Sequence, residues 1–167
     1  MATVLRNLSD YDAGSIPAGK GKRIAILVAE WNSEITFALR DGAVSSLKKH
    51  GLKEGDIEVH YVPGAFELTL GAEWCGTDEN IDAVICIGCV IKGDTPHFDF
   101  ICQGVTYGLT ELNISLSKPV IFAVLTTNNL EQAQQRAGGI HGNKGDEAAI
   151  TALKMLGLRD KLNSKVL

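Results

Sequence analysis

Four apolar runs recur along the chain, each followed by a segment with a different hydrophobic period. The runs are RIAILVAEW, IEVHYVP, DAVICIGCVI and PVIFAVLTT. The first is continuous and rich in β-branched residues, which predicts a strand covered on both faces. The connections are too long for hairpin turns, so the four runs together predict a parallel sheet.

The segments between the runs predict helices. Asn32 and Ser33 are typical N-cap residues, and apolar residues then recur at four-residue spacing until Gly51 ends the pattern. FELTLGAEWCG predicts a short helix that extends to about Asp78, and HFDFICQGVTYGLTELNISLS predicts a long one. Helices therefore alternate with the strands.

The last third of the chain predicts two more helices. Asn128 and Glu131 have the spacing of a capping box for the helix LEQAQQRAGG. The glycine-punctuated segment GGIHGNKG breaks the pattern before a final helix, EAAITALKMLG, and a charged tail.

The predicted fold is a three-layer α/β/α sandwich with a four-stranded parallel sheet of flavodoxin-like topology and right-handed crossovers. Residues 1–21 are polar and glycine-rich and predict an irregular N-terminal arm, and residues 22–167 predict one domain. A length of 167 residues fits this single core.

Composition narrows the class of function. The net charge of −4 argues against nucleic acid as a partner, which would normally need a basic face. No window approaches about 18 consecutive apolar residues, so no membrane span is expected. The N-terminus lacks a basic head followed by an apolar core, so we expect no secretory signal and a cytoplasmic location.

The four cysteines are Cys75, Cys86, Cys89 and Cys102. Cys86 and Cys89 form a C-x-x-C, which is compatible with a metal site or a redox pair. Both lie inside an apolar run, however, and no second C-x-x-C or nearby histidine pair completes a zinc site. We therefore expect buried strand thiols and no metal.

Candidate site residues gather where the strands end. Ligands of open parallel sheets bind beyond the carboxyl ends of the strands. The four ends carry Glu30-Trp31-Asn32, the segment 63–67, the motif GCVIKGDTPHFD at 88–99, and Thr126-Thr127-Asn128. Aromatic, acidic, glycine and imidazole residues are thus predicted on a single edge.

Several of these residues have an ordinary structural interpretation beside a functional one. Trp31 could cap the core or offer a flat face for a heteroaromatic ring. Glu67 could complement a helix dipole or accept hydrogen bonds from a ligand. His97 could be structural, or it could move protons beside the turn 93–95, whose N–H groups suit an anion.

The basic residues remain ambiguous in the same way. Arg136 is either a solvated charge near a helix end or a bidentate hydrogen-bond donor to phosphate. Lys144 could belong to an ordinary helix start. GKGKR at 19–23 precedes a strand, whereas a Walker loop follows one, so it is not interpreted as a phosphate loop.

Four motifs carry a resemblance to a known family. They are VPGAFEL at 62–68, GCVIKGDTPHFD at 88–99, VIFAVLTTNNLEQAQQRAG at 120–138 and GNKGDEAA at 142–149. Together they resemble the 6,7-dimethyl-8-ribityllumazine synthase family, over about residues 22–157.

The resemblance implies a transferase of riboflavin biosynthesis that needs no cofactor and no metal. Its reaction is the condensation of 5-amino-6-(D-ribitylamino)uracil with 3,4-dihydroxy-2-butanone 4-phosphate, with release of phosphate and water. By motif position, the resemblance implies that His97 carries protons. The ribitylaminouracil residues would be Trp31, Ala65, Phe66, Glu67, Cys89, Val90, Ile91 and Phe122. The butanone phosphate residues would be Asp94, Thr95 and Arg136.

The resemblance also implies homo-oligomers with active sites between subunits, so that Phe122 and Lys144 would come from the adjacent chain. The family forms pentamers and, in some members, shells of sixty subunits; association with riboflavin synthase is a further implied partner. The chain departs from the familiar pattern at Ile140, where a lysine is common. Pro17 could hinder addition of the arm to a neighbour's sheet.

Two other functions stay open at this point. A flavin or lumazine carrier would use the same fold and Trp31, but it has no need for His97 beside an anion-binding turn. A structural shell protein would assemble without turnover. An assay of the condensation itself separates all three.

Overall fold

The computed structural model describes residues 13–164 of the chain. Its four long strands are Ile24–Ala29 (β1), Ile57–Val62 (β2), Ala83–Ile91 (β3) and Val120–Thr127 (β4). They form one sheet in the order β2-β1-β3-β4, and every neighbouring pair is parallel. The predicted four-stranded parallel sheet of flavodoxin-like topology is confirmed.

Five α-helices accompany the sheet within residues 13–164. They are Ser33–Lys49 (α1), Leu68–Thr77 (α2), His97–Ser115 (α3), Leu130–Gln134 (α4) and Lys144–Asn163 (α5). Alternate residues of β1 enter two cores: Ile24 and Ile26 pack with residues of α1 and α5, whereas Ala25 and Leu27 pack with residues of α2 and α3. Because both faces are covered, β1 is buried at all six positions, as its sequence predicts.

The predicted ends of the first two helices agree with the structure. Gly51 follows α1 with φ +99°, a left-handed conformation that favours glycine and stops a helix. Asp78 is the C-cap of α2, as predicted.

The segment after β4 corrects the sequence prediction. The N-cap of α4 is Asn129, whose side chain accepts from the Gln132 N–H over 2.9 Å. The predicted capping box of Asn128 and Glu131 is therefore wrong by one residue. In its place, the Asn128 N–H donates to the side chain of Gln132 over 2.9 Å.

The helix predicted over LEQAQQRAGG ends early. The chain turns at Gln135 into a short antiparallel hairpin of Ala137–Gly139 (β5) and Gly142–Asn143 (β6). Gly138 and Gly142 both have positive φ, which lets the chain reverse where a helix would have continued. The last helix consequently begins at Lys144, three residues before the predicted start.

Part of the predicted arm packs against the domain, although its first twelve residues lie outside the described residues. Ile16 is buried in the same core as Leu153 and Leu156 of α5. The Gly19 N–H donates to the carbonyl of His50 over 2.8 Å. None of the helices between residues 13 and 164 has the length and apolar composition needed to cross a bilayer.

Candidate active site

A cleft of about 790 Å³ opens at the carboxyl ends of β1, β2 and β3. The chain runs from β1 to β2 on one side and continues with β3 on the other, so the strand order reverses at β1. Such a reversal leaves a crevice between the diverging connections, where ligands of α/β sheets bind. The cleft is lined mainly by Trp31, Asn32, 63–67, 89–91, Gly93, Thr95, His97, Phe98 and Ile101.

Trp31 forms one wall of the cleft, just beyond β1. The N–H of Glu30 donates to the carbonyl of Val62 over 2.8 Å, and the Trp31 N–H donates to that of Pro63 over 3.1 Å. These bonds fix the backbone while the indole stays 73% exposed. An exposed ring at a cleft mouth can stack on a planar ligand.

A second wall is the loop between β2 and α2. Ala65 is buried, whereas Phe66 is 60% exposed. Glu67 is the residue at the N-cap position of α2, but its side chain makes no capping hydrogen bond there. Its carboxylate is exposed in the cleft and can accept hydrogen bonds from a ligand.

The floor of the cleft is the last part of β3. The pairing of β3 with β1 ends at Ile87, whereas its pairing with β4 continues to Ile91. Cys89, Val90 and Ile91 therefore extend past β1, and no strand of residues 13–164 covers that side. The Cys89 carbonyl accepts from the Asn32 side chain, and the other backbone N–H and C=O groups on the uncovered side are available to a heterocycle.

The C-x-x-C motif is not a redox or metal pair. Cys86 packs in the core of α2 and α3 and Cys89 in the core of α1 and α5, so the two thiols lie on opposite faces of the sheet. Burial raises the pKa of Cys89 to about 11 and raises that of Cys86 further above its ordinary value. The predicted buried strand thiols are confirmed.

The remaining wall is the loop that leads into α3. Gly93, Thr95 and His97 line the cleft, and His97 is the first residue of α3, with an exposed imidazole. N–H groups at a helix start favour an anion nearby. Asp94 is exposed in the same loop but is not among the residues that line the cleft.

Three of the predicted residues lie elsewhere. Phe122 is on the edge strand β4 and is 43% exposed. Arg136 and Lys144 flank the β5–β6 hairpin. None of the three lines the cleft of its own chain.

The hairpin is held firmly on α1. The Asn143 side chain donates to the Ala38 carbonyl over 2.9 Å and accepts from the Gly145 N–H over 2.8 Å. Gly145 lies so close to α1 that a Cβ there would be 1.8 Å from the Leu39 carbonyl oxygen. Only glycine fits, and the approach sets the position of Lys144.

Asn32 is a cleft residue that the sequence patterns place at a strand end and as a possible helix cap, without assigning it a role in the site. Its side-chain amide donates from Nδ2 to the Cys89 carbonyl over 2.8 Å and makes no cap hydrogen bond. Its position after the first strand was the available signal. Within residues 13–164, no three His, Cys, Asp or Glu side chains are grouped so that they could hold a metal ion.

Comparisons with known proteins all lead to one family. The sequence model of one family, described as 6,7-dimethyl-8-ribityllumazine synthase, matches residues 21–160. Proteins of that name from Porphyromonas gingivalis and Cytophaga hutchinsonii are each 58% identical to the chain, over 95% and 93% of its length and 98% of theirs. The protein of that name from Phocaeicola vulgatus is 54% identical over 97% of the chain and 96% of its own length.

Proposed function

The chain belongs to the 6,7-dimethyl-8-ribityllumazine synthase family, and we propose that its cleft binds ribitylaminouracil while a second copy of the chain completes the site. As a member of that family it is a transferase of riboflavin biosynthesis. It condenses 5-amino-6-(D-ribitylamino)uracil with 3,4-dihydroxy-2-butanone 4-phosphate to 6,7-dimethyl-8-ribityllumazine, and phosphate and water are released.

The cleft suits the uracil substrate. We assign the stacking surface to the Trp31 ring and the pyrimidine hydrogen bonds to the backbone of Cys89, Val90 and Ile91. The exposed Glu67 carboxylate, with the backbone of Ala65 and Phe66 beside it, is assigned to the ribityl hydroxyls.

The second substrate would lie towards the start of α3. Thr95 and the adjacent N–H groups are assigned to the phosphate end, together with Arg136. Asp94 can contribute only its backbone N–H, because its carboxylate would repel phosphate.

His97 is assigned to proton transfer. The uracil amine attacks the ketone carbon, and loss of one water gives an imine. Loss of the proton on the carbon beside the imine expels phosphate from the next carbon and leaves an enol, which tautomerises to a methyl ketone. Ring closure by the ribityl-bearing nitrogen on that ketone loses a second water. Each step moves a proton between neighbouring atoms, a task for which imidazole is suited near neutral pH. Holding the two substrates together supplies much of the remaining acceleration.

The observation that carries the shared site is the separation of the predicted residues. The cleft contains Trp31, Glu67 and His97, whereas Phe122, Arg136 and Lys144 lie outside it. A second copy that brings its β4 edge and its hairpin to this cleft would supply the three missing residues. The site is then complete only between two chains.

An apolar face on α3 supports self-association. Phe100, Tyr107 and Ile114 recur every seven residues, so they lie along one side of the helix. Their exposed fractions are 71%, 73% and 77%. Since α3 begins at His97, a copy packed on this face would lie beside the cleft. Pentamers, alone or within sixty-subunit shells, are the assembly that we propose; sedimentation would determine their size.

Complementation tests the shared site. Co-expressed chains carrying His97→Ala and Arg136→Ala should form mixed oligomers in which about one quarter of the sites combine the two intact halves. At a butanone phosphate concentration well below its KM, each variant alone should be slowed at least about tenfold, and the mixture should recover to about that fraction of the parent's activity. Mixing His97→Ala with Trp31→Ala is the matched control, because both residues line one cleft and no mixed site is intact. Equal recovery in the two mixtures, or none in either, would overturn the proposal.

A further inference from the structure

Asn32 has a backbone conformation that is unusual for a residue with a side chain. Its φ of 59° and ψ of 45° are left-handed, a region that asparagine and aspartate tolerate better than other non-glycine residues. The conformation turns the chain sharply between β1 and α1. Trp31, immediately before this turn, is thereby left exposed at the cleft rather than carried into the helix.

The side chain of Asn32 is used for something other than capping. An asparagine before a helix ordinarily accepts from an N–H of the first turn. Here Nδ2 instead donates to the carbonyl oxygen of Cys89 over 2.8 Å. That carbonyl lies beyond the point at which β1 pairs with β3, so the amide bridges a gap that no strand fills.

The same turn is also tied to β2. The Trp31 N–H donates to the Pro63 carbonyl over 3.1 Å. The Trp31 backbone is therefore held between a contact to the β2–α2 loop and, one residue later, a contact to β3. The Asn32 side chain connects the aromatic wall of the cleft to its hydrogen-bonding floor.

We infer that Asn32 is a positioning residue, which sets the separation between the Trp31 ring and the Cys89–Ile91 backbone and thereby the affinity for a planar heterocycle. The inference rests on the proposed function, in which Trp31 stacks on the uracil. A ring held at one fixed separation by both surfaces gains affinity, because the site loses little freedom on binding. Asn32 acts through the Cys89 carbonyl and Trp31.

Two substitutions distinguish the role of the Asn32 side chain from that of the backbone turn. Asn32→Gly keeps a residue that accepts positive φ and removes the Nδ2 donor. It should weaken binding of 5-amino-6-(D-ribitylamino)uracil about 2- to 12-fold, the range expected for one neutral hydrogen bond. Asn32→Asp tolerates the same turn but places a carboxylate against the Cys89 carbonyl, and the two oxygens repel each other. The loss of affinity for the uracil substrate should therefore be larger. The KM of the butanone phosphate should not change in either variant.

Tryptophan fluorescence measures the effect directly. The chain has two tryptophans, and Trp74 lies on α2 outside the cleft. In a Trp74→Phe background the signal comes from Trp31 alone, so quenching on titration with the uracil substrate gives its dissociation constant. The three chains to compare carry Asn32, Gly or Asp at position 32.

Thr36→Val is the matched control for a loosened turn. The Thr36 hydroxyl donates to the Ala29 carbonyl over 2.7 Å, so this hydrogen bond joins α1 to β1 across the same turn and does not involve the Cys89 carbonyl. The Thr36→Val substitution should leave the dissociation constant of the uracil substrate unchanged. Weakening by Thr36→Val equal to that of Asn32→Gly would show a merely structural role and overturn the inference.

Other outcomes are equally decisive. An unchanged dissociation constant in Asn32→Gly, with normal quenching in the parent, would overturn the inference but not the proposed function. Absence of quenching in the parent itself would overturn the assignment of Trp31. If Asn32→Gly does not fold, the Asp variant carries the same comparison.

Discussion

The main-chain N–H of Lys144 donates to the carbonyl oxygen of Arg136 over 2.9 Å, which closes the base of the β5–β6 hairpin. The two cations are therefore held together by backbone. Their side chains differ, since the Lys144 ammonium pairs with Glu147, whereas the Arg136 guanidinium donates from Nη1 to the Gln132 carbonyl over 2.9 Å. With five N–H groups, Arg136 retains donors for an oxyanion.

Arg136→Ala should raise the KM of the butanone phosphate about 10- to 150-fold, the range for hydrogen bonds to a charged group. The dissociation constant of the uracil substrate should change little. Steady-state kinetics with each substrate varied in turn measures both effects. Lys161→Ala removes an exposed charge on the last turn of α5 and serves as the control. An unchanged KM for the phosphate substrate would contradict the assignment of Arg136.

His97→Ala should slow turnover about ten- to a thousandfold, the lower part of the contribution of about 10²–10⁴-fold that a positioned acid or base typically makes, because water can replace part of its role. Both KM values should stay close to those of the parent, because the imidazole moves protons more than it binds substrate. Added free imidazole should restore part of the rate. A loss of uracil binding with an unaltered kcat would instead show that His97 is a binding residue.

The central sheet was predictable because its signals are local and redundant. Each strand is a continuous apolar run, and each major helix has a clear stop such as Gly51. The β5–β6 hairpin was not predictable, because Gln135 and Arg136 continue a helical pattern. The chain reversal depends on the positive φ of Gly138. A glycine in the sequence does not by itself indicate whether the chain ends a helix or begins a hairpin there.

The position of the candidate site's strand-end residues was predictable, but that of its hairpin residues was not. The strand ends at Trp31, Glu67 and His97 meet because parallel strands share an edge. The sequence did not distinguish Arg136 from these cleft residues. The packing of Gly145 on α1 holds its hairpin there, and Arg136 does not line the cleft of the same chain. Asn32 was named at the end of the first strand, but its contact to Cys89 was not predicted, because the same sequence position suits an ordinary cap.

The Cys89 thiol should be unreactive despite its position in the cleft. Because burial raises its pKa to about 11, only about one thiol in a thousand is ionised at pH 8. Iodoacetamide should therefore modify Cys102 before Cys89, and modification of Cys89 should accelerate about tenfold per pH unit until the pH approaches 11. Mass spectrometry of digests locates the labelled positions, and the same reaction in urea is the control. Rapid labelling of Cys89 at pH 7 would contradict its burial.

Asp82 lies at the amino end of the sheet, and it should make the free energy of unfolding depend on pH. Its carboxylate accepts from Arg159 Nη2 over 2.5 Å and from the Arg23 N–H over 3.0 Å. Burial alone would raise the pKa of Asp82, but these hydrogen bonds outweigh it and hold the pKa below its ordinary value. The stabilisation is therefore complete above the unfolded pKa of about 3.9 and is lost as the pH falls through the folded pKa.

Asp82→Asn should lower the free energy of unfolding by about 1–2 kcal/mol at pH 7, a modest value because the pair is partly exposed. Urea unfolding at fixed chain concentration measures it, since self-association would add to the apparent stability. The difference from the parent should shrink below about pH 4, where the parent's carboxylate is protonated as well. Asp41→Asn, at a more exposed ion pair with Arg40, should change stability by less than about 0.5 kcal/mol. A difference that persists unchanged at pH 2 would show that Asp82 stabilises the fold by packing rather than by charge.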